Sequence, residues 1–143
     1  MQAGFSKRKN IFHNKKMPKL LNLTILTLYC SLIFWLSSQP TLPTPMLFMH
    51  QDKIFHMGAY FIMGLLAWRL FKDCFSKPLF IWGISFCFCS LYGLSDEWHQ
   101  SYVPGRDADV LDWLADSIGA SIALFGIHLT KHKFGKEKLQ KNT

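Results

Sequence analysis

Four long apolar runs, separated by short polar stretches, decide what this chain can fold into. They are Leu20 to Ser37, Ile54 to Phe71, Leu79 to Ser95 and Val110 to Leu129. At a rise of 1.5 Å per residue, about 20 residues cross a hydrocarbon core of ~30 Å. Lipid supplies no hydrogen-bond partner, so a single segment of this length has to be helical. The expected fold is all-α: a polytopic membrane protein with a four-transmembrane-helix bundle. Its 143 residues hold one such domain, over 20–129, between a basic tail at 1–19 and another at 130–143.

The basic segment before the first run and Ser37–Ser38 after it also fit a cleaved signal peptide. The run is long for that role, so it is expected to stay as a helix. Cleavage would remove one helix without inverting the others.

Cation placement orients the bundle. Lys7, Arg8, Lys9, Lys15, Lys16 and Lys19 precede the first run, and Lys131, Lys133, Lys136, Lys138 and Lys141 follow the last. Arg69, Lys72 and Lys77 lie at the connection between the second and third runs. Both termini are therefore expected in the cytoplasm, with 14 of the 16 cations inside. Lys53 and Arg106 alone are left outside. Trp35, Trp98 and Trp113 fall near the outer ends, and Trp68 and Trp82 near the inner ends, as amphipathic rings favour. The basic excess of +7 thus marks topology. Neither cluster is interleaved with aromatics, so no nucleic-acid partner is expected. The cysteines are expected to be small apolar fillers and not a disulfide framework.

The acids lie opposite the cations. Asp52, Asp96, Glu97, Asp107, Asp109, Asp112 and Asp116 are seven of the nine, all outside or in the outer half. At 100° per residue, Asp109, Asp112, Asp116, Gly119, Ala123 and Gly126 share one face of the fourth helix. Leu111, Leu114, Ile118, Ile122, Phe125 and Leu129 share the other. A small and acidic face turns toward neighbouring helices, and a bulky one toward lipid. The second helix splits the same way: Asp52, Lys53, His56, Tyr60 and Ala67 oppose Phe61, Ile62, Leu65 and Leu66. In the third, Gly83, Ser90, Gly93 and Glu97 align, with Gln100 beyond.

Topology gathers these faces at one outer mouth. Asp116 would lie about 10 Å below the surface. A lone charge at depth costs on the order of 2.5–3.5 kcal/mol on insertion scales, so it should face a partner or a cavity. Asp107 and Asp109 suit a structural role, since aspartate at a helix start complements the dipole. Lys53 with Asp112, and Arg106 with Glu97, could lock helix ends in the same way. A histidine, a glutamate and an arginine at the same mouth exceed what such a lock requires. His56, Glu97 and Asp112 are the candidate catalytic groups. Lys53, Gln100, Arg106, Asp52 and Asp116 are candidates for holding substrate. For His99, beside Trp98, a solvated interfacial role is equally open. In the connection before Arg106, Val103-Pro104-Gly105-Arg106 suits a β-turn. The three-proline stretch from Ser38 to Gln51 suits an extended lid.

Three blocks carry a resemblance. Asp52-Lys53-x-x-His56-x-x-x-Tyr60 is the first. Asp96-Glu97-x-His99-Gln100-x-x-Val103-Pro104-Gly105-Arg106 is the second, and Asp112-x-x-x-Asp116-x-x-Gly119 the third. In this order the chain resembles VanZ-like membrane proteins over about residues 20–129. That family often has Asn where this chain has Asp116. The resemblance implies a four-helix membrane domain in the cell envelope. Its name-giving member is associated with teicoplanin resistance, a property not carried over to this chain.

The residues leave the class of function open. One reading is an enzyme of the cell membrane's outer leaflet acting on a lipid-linked envelope substrate. His56 or Glu97 would move protons, and Arg106 or Lys53 would hold a phosphate. A divalent cation on His56, Glu97 and Asp112 is a variant, since mixed His/carboxylate sets suit Zn or Mn. The alternative is a non-catalytic module binding a lipid headgroup, a glycopeptide or a partner. A small proton-coupled transporter comes third, because the inner half offers few polar groups on these faces. HExxH, CxxC and GxSxG are all missing, so no named chemistry is signalled.

Overall fold

The computed structural model describes residues 19–40 and 47–140, with backbone alone beyond residue 131. The basic tail before Lys19 and the proline stretch over 41–46 lie outside the described residues. Four helices follow in order: α1 (Lys19–Ser37), α2 (Gln51–Cys74), α3 (Pro78–Gln100) and α4 (Val110–Gln140). All four are long and apolar enough to cross a membrane, and no strand occurs among the described residues. This is a multi-pass, all-helical membrane protein.

Each helix exceeds its apolar run at a polar end. α2 begins three residues early, so Asp52 and Lys53 lie in its first turn. α3 runs on through Gln100 and keeps Glu97 and Gln100 on the buried face. α4 continues past the fourth run to Gln140. Local chemistry explains the starts. Pro78 opens α3 where a missing N–H costs nothing. Asp109 Oδ1 accepts the Leu111 N–H at 2.8 Å, an N-cap for α4. Three serine hydroxyls inside the spans are satisfied one turn back: Ser31 donates to Thr27 O, Ser37 to Ile33 O and Ser85 to Ile81 O.

α2 and α4 form the tightest pair, α3 packs on both, and α1 packs on α2 and α3 without touching α4. Glycine sets the α2–α4 approach. A Cβ at Gly119 would lie 2.1 Å from Met57 O, and one at Gly64 3.2 Å from the Ala120 backbone. Only bare backbone fits at Gly119, and Gly64 leaves little room to spare. Two tyrosines tie α1 on: Tyr29 donates to Ala59 O at 2.9 Å and Tyr92 to Cys30 O at 2.6 Å. The core of Leu26, Met63, Ala67, Cys89 and Ala120 fills the middle of the bundle.

The expected faces of α4 are observed through Ala123, but Gly126, expected on the buried face, is exposed and Asp109 is half-buried. Asp112, Asp116, Gly119 and Ala123 are buried, while Leu111, Leu114, Ile118, Ile122, Phe125 and Leu129 are exposed. Exposed leucines on a membrane helix are where lipid goes. The turn into Arg106 also forms: Gly105 has φ 83°, and Arg106 N–H donates to Val103 O at 3.0 Å.

Candidate functional site

The starts of α2 and α4 and the ends of α1 and α3 meet at one end of the bundle, here called the mouth. The site begins with Lys53 in the first turn of α2. Its ammonium donates to Asp52 at 2.9 Å, to Asp112 at 2.7 Å and to Asp109. One cation thus gathers three carboxylates from two helices. Lys53 holds the exposed Asp109 carboxyl below the ordinary aspartate range.

One turn deeper on α2 is His56. Its Nδ1 lies 3.0 Å from Asp116 Oδ1, and its Nε2 lies 4.0 Å from Asp112 Oδ2. Asp116 is wholly buried, whereas the His56 side chain keeps 18% of its surface exposed. The imidazole therefore has an anchored side and a mouth side. The second Asp116 oxygen, Oδ2, has no hydrogen-bond partner, and neither has the buried Tyr60 hydroxyl. Gly93 makes room for this carboxylate: a Cβ there would stand 2.8 Å from Asp116 Oδ2.

α3 contributes Glu97, whose Oε2 accepts the Asp109 N–H at 2.9 Å. It thereby joins the end of α3 to the start of α4. Gln100 reaches Asp96 and Glu97 at a weak 3.4 Å. One ligand atom each from His56, Glu97 and Asp116 lies within 4.8 Å of the others. Imidazole and carboxylate donors at that spacing can hold a divalent cation. Asp112, in the ligand set read from sequence, contacts Lys53 and stands 4.0 Å from His56 Nε2, while Asp116 is the third member of this cluster.

Arg106 is placed differently from the expected lock. It donates to Gln39 O at 3.0 Å and Leu36 O at 3.4 Å, so it caps the end of α1 instead of pairing with Glu97. The α1 end offers carbonyls, of which Leu36 O also accepts the Gln39 N–H, and these draw a guanidinium as well as a carboxylate would. His99 also serves packing. Its ring stacks on Phe34 with centroids 4.5 Å apart, and Nε2 is 3.0 Å from Ser38 Oγ.

Sequence reasoning missed two polar contacts. Ser90, Ser117 and Trp113 form a small network between α3 and α4. At the opposite end, buried Asn22 donates to Asp73 Oδ2 at 2.7 Å. The available signal was depth: Asn22 near the start of α1 and Asp73 near the end of α2 share a level in antiparallel helices.

A family model described as VanZ/LLP1 matches residues 3–131. The chain is also similar to an uncharacterised protein of Schizosaccharomyces pombe. The two are 28% identical over 123 residues, which is 85% of this chain and 70% of the relative. No solved structure matches.

Proposed function

The chain belongs to the VanZ/LLP1 family, and from that premise we propose that its mouth is the active site of a membrane enzyme. Its substrate is an amphiphile whose polar headgroup enters from the surface, a lipid-linked envelope molecule by class. The cation asymmetry supports a mouth on the outer side of the cell membrane.

The His56 contact carries this reading. Asp116 anchors Nδ1 at 3.0 Å and so selects the ring's orientation and tautomer. Nε2 is left on the mouth side to take or give a proton. Asp116 is a positioning residue, and His56 is the group that meets substrate. A cavity of about 540 Å³ between α3 and the start of α4, which reaches the cluster through Glu97 and not through His56 or Asp116, supports an amphiphilic ligand. Leu91, Leu94, Trp98 and Val110 give it apolar walls, and Glu97 and Asp109 give it a polar end. An acyl chain suits the walls, and a headgroup the acids.

The free Asp116 Oδ2 favours a second form of the same reading, with a divalent cation on His56, Glu97 and Asp116. Lys53 already holds three carboxylates and Arg106 two carbonyls, so a cation would also offset charge for an anionic headgroup. Chemistry across the whole bilayer is a weaker fit, because the apolar core lies between the mouth and the far end.

Purified protein in lipid nanodiscs, given envelope lipid extract, tests this by mass spectrometry of the products. Conversion by the wild type, lost in His56→Gln and reduced about 100-fold or more in Asp116→Asn, is expected. Saturable retention without product would select the binding module instead. Full conversion by His56→Ala would overturn the assignment. Loss of conversion in EDTA and its return with Mn²⁺ would select the cation form.

A further inference from the structure

The end of the bundle opposite the mouth holds a second pocket, of about 670 Å³. That volume lies within the range of small-ligand sites. Trp68 is part of its wall. The Lys72 ammonium lies 4.7 Å from the Trp68 ring centroid and that of Lys131 4.3 Å, so two like charges share one indole. Each is attracted by the ring face, but the ring carries no net charge to balance them. Asp73 is the acid among the described residues that line the pocket, and it accepts the Asn22 amide. Arg69 and His128 line the pocket as well. The excess is positive, in a concave site walled by ring and side chain.

The rest of the wall is apolar. Ile81, Leu124 and Ile127 line the pocket, and Leu79 and Phe80 beside it are exposed toward lipid. A small inorganic anion would use only the cationic part. A phospholipid would use both, with its phosphate between the lysines and its acyl chains along the exposed apolar flank. Position agrees. The pocket lies where α2 ends, α3 begins and the apolar run of α4 closes at Leu129. That is the level of the headgroups. With the mouth outside, this end meets the leaflet in which anionic lipids concentrate.

We infer that Lys72 and Lys131, stacked on Trp68, form a binding site for the phosphate headgroup of an anionic phospholipid. The inference is independent of the chemistry proposed for the mouth.

Binding of three probes to the detergent-purified full chain tests it by native mass spectrometry and thermal shift. The probes are short-chain phosphatidylglycerol, phosphatidylcholine with the same chains, and inorganic phosphate. Saturable binding of phosphatidylglycerol is expected, at least about tenfold tighter than phosphatidylcholine. Lys72→Gln and Lys131→Gln should each weaken it about fivefold. Asp73→Asn should tighten it, a change that misfolding cannot mimic. His56→Gln should bind it like the wild type, which separates this site from the mouth. Equal binding of the two lipids, or unchanged affinity in the double lysine variant, overturns the inference. Inorganic phosphate binding as tightly as the lipid would assign the pocket to a free anion and overturn the lipid.

Discussion

At the mouth, Asp112, Asp116 and Glu97 are buried, and charged side chains there are held largely by charged side chains from neighbouring elements. At the far end, they are partly exposed and lie against an aromatic ring. Lys53 holds three carboxylates from two helices, whereas Lys72 and Lys131 share the Trp68 face. The first arrangement requires registration of helices to within an ångström. The second tolerates movement, since long stems can snorkel and the ring attraction is broad. Burial and mutual pairing of ionisable groups are costly in a membrane and mark function. Flexible basic rims mark contact with the membrane surface.

The largest test of this contrast acts on the α2–α4 seam on which the mouth depends. Gly119→Val puts a side chain where Met57 O already stands 2.1 Å from a Cβ position. A loss of about 3 kcal/mol or more is expected in detergent denaturation. Gly83→Ala and Gly126→Ala meet nothing within 4 Å and should be neutral or slightly stabilising. If Gly119→Val folds as well as these, the seam does not set the registration of the mouth.

Next comes the His56–Asp116 pair. His56→Leu strands a fully buried carboxylate and should cost about 1–3 kcal/mol. His56→Leu combined with Asp116→Leu should recover part of that, and a double-mutant cycle measures the coupling. The same cycle on Lys72 and Lys131 should give a coupling near zero. Equal couplings at both ends would break the contrast.

Lys53→Gln should cost about 1–2 kcal/mol, because Asp109 and Asp112 lose their shared cation. Lys72→Gln should stay within about 0.5 kcal/mol in the same assay.

The smallest effect is acid dependence. Lys53 depresses the Asp109 carboxyl in the folded state, so its stabilisation is complete above the ordinary aspartate value of about 3.9. It is lost as pH falls through the depressed folded value. Asp109→Asn should flatten that acid limb of a stability profile from pH 6 to pH 3. A limb of unchanged steepness in the variant would assign the acid dependence elsewhere.

Much of the architecture was readable in the chain. The four spans and the lipid-facing stripe of α4 follow from run length and from a 3.6-residue period. Both are properties of one helix at a time. The gathering of polar groups at one end follows from alternating direction. Of the site's internal pairing, Lys53 with Asp112 was readable and the partner of His56 was not. Asp112 and Asp116 lie one turn apart on the same face, and either could meet His56. The Arg106 contact with α1 was equally hidden, because a guanidinium accepts a helix-end carbonyl or a carboxylate.

By itself, then, the order of residues determined how many helices there are, which side of each is buried and which end is acidic. The folded bundle alone decided that Asp116, not Asp112, anchors His56, that Lys53 holds Asp109 as well as the expected Asp112, and that Arg106 closes α1. The reason is geometric. Periodicity describes rotation about one axis, but partner choice depends on the axial offset between two. That offset is set where Gly119 lets α4 press against the backbone of α2 at Met57.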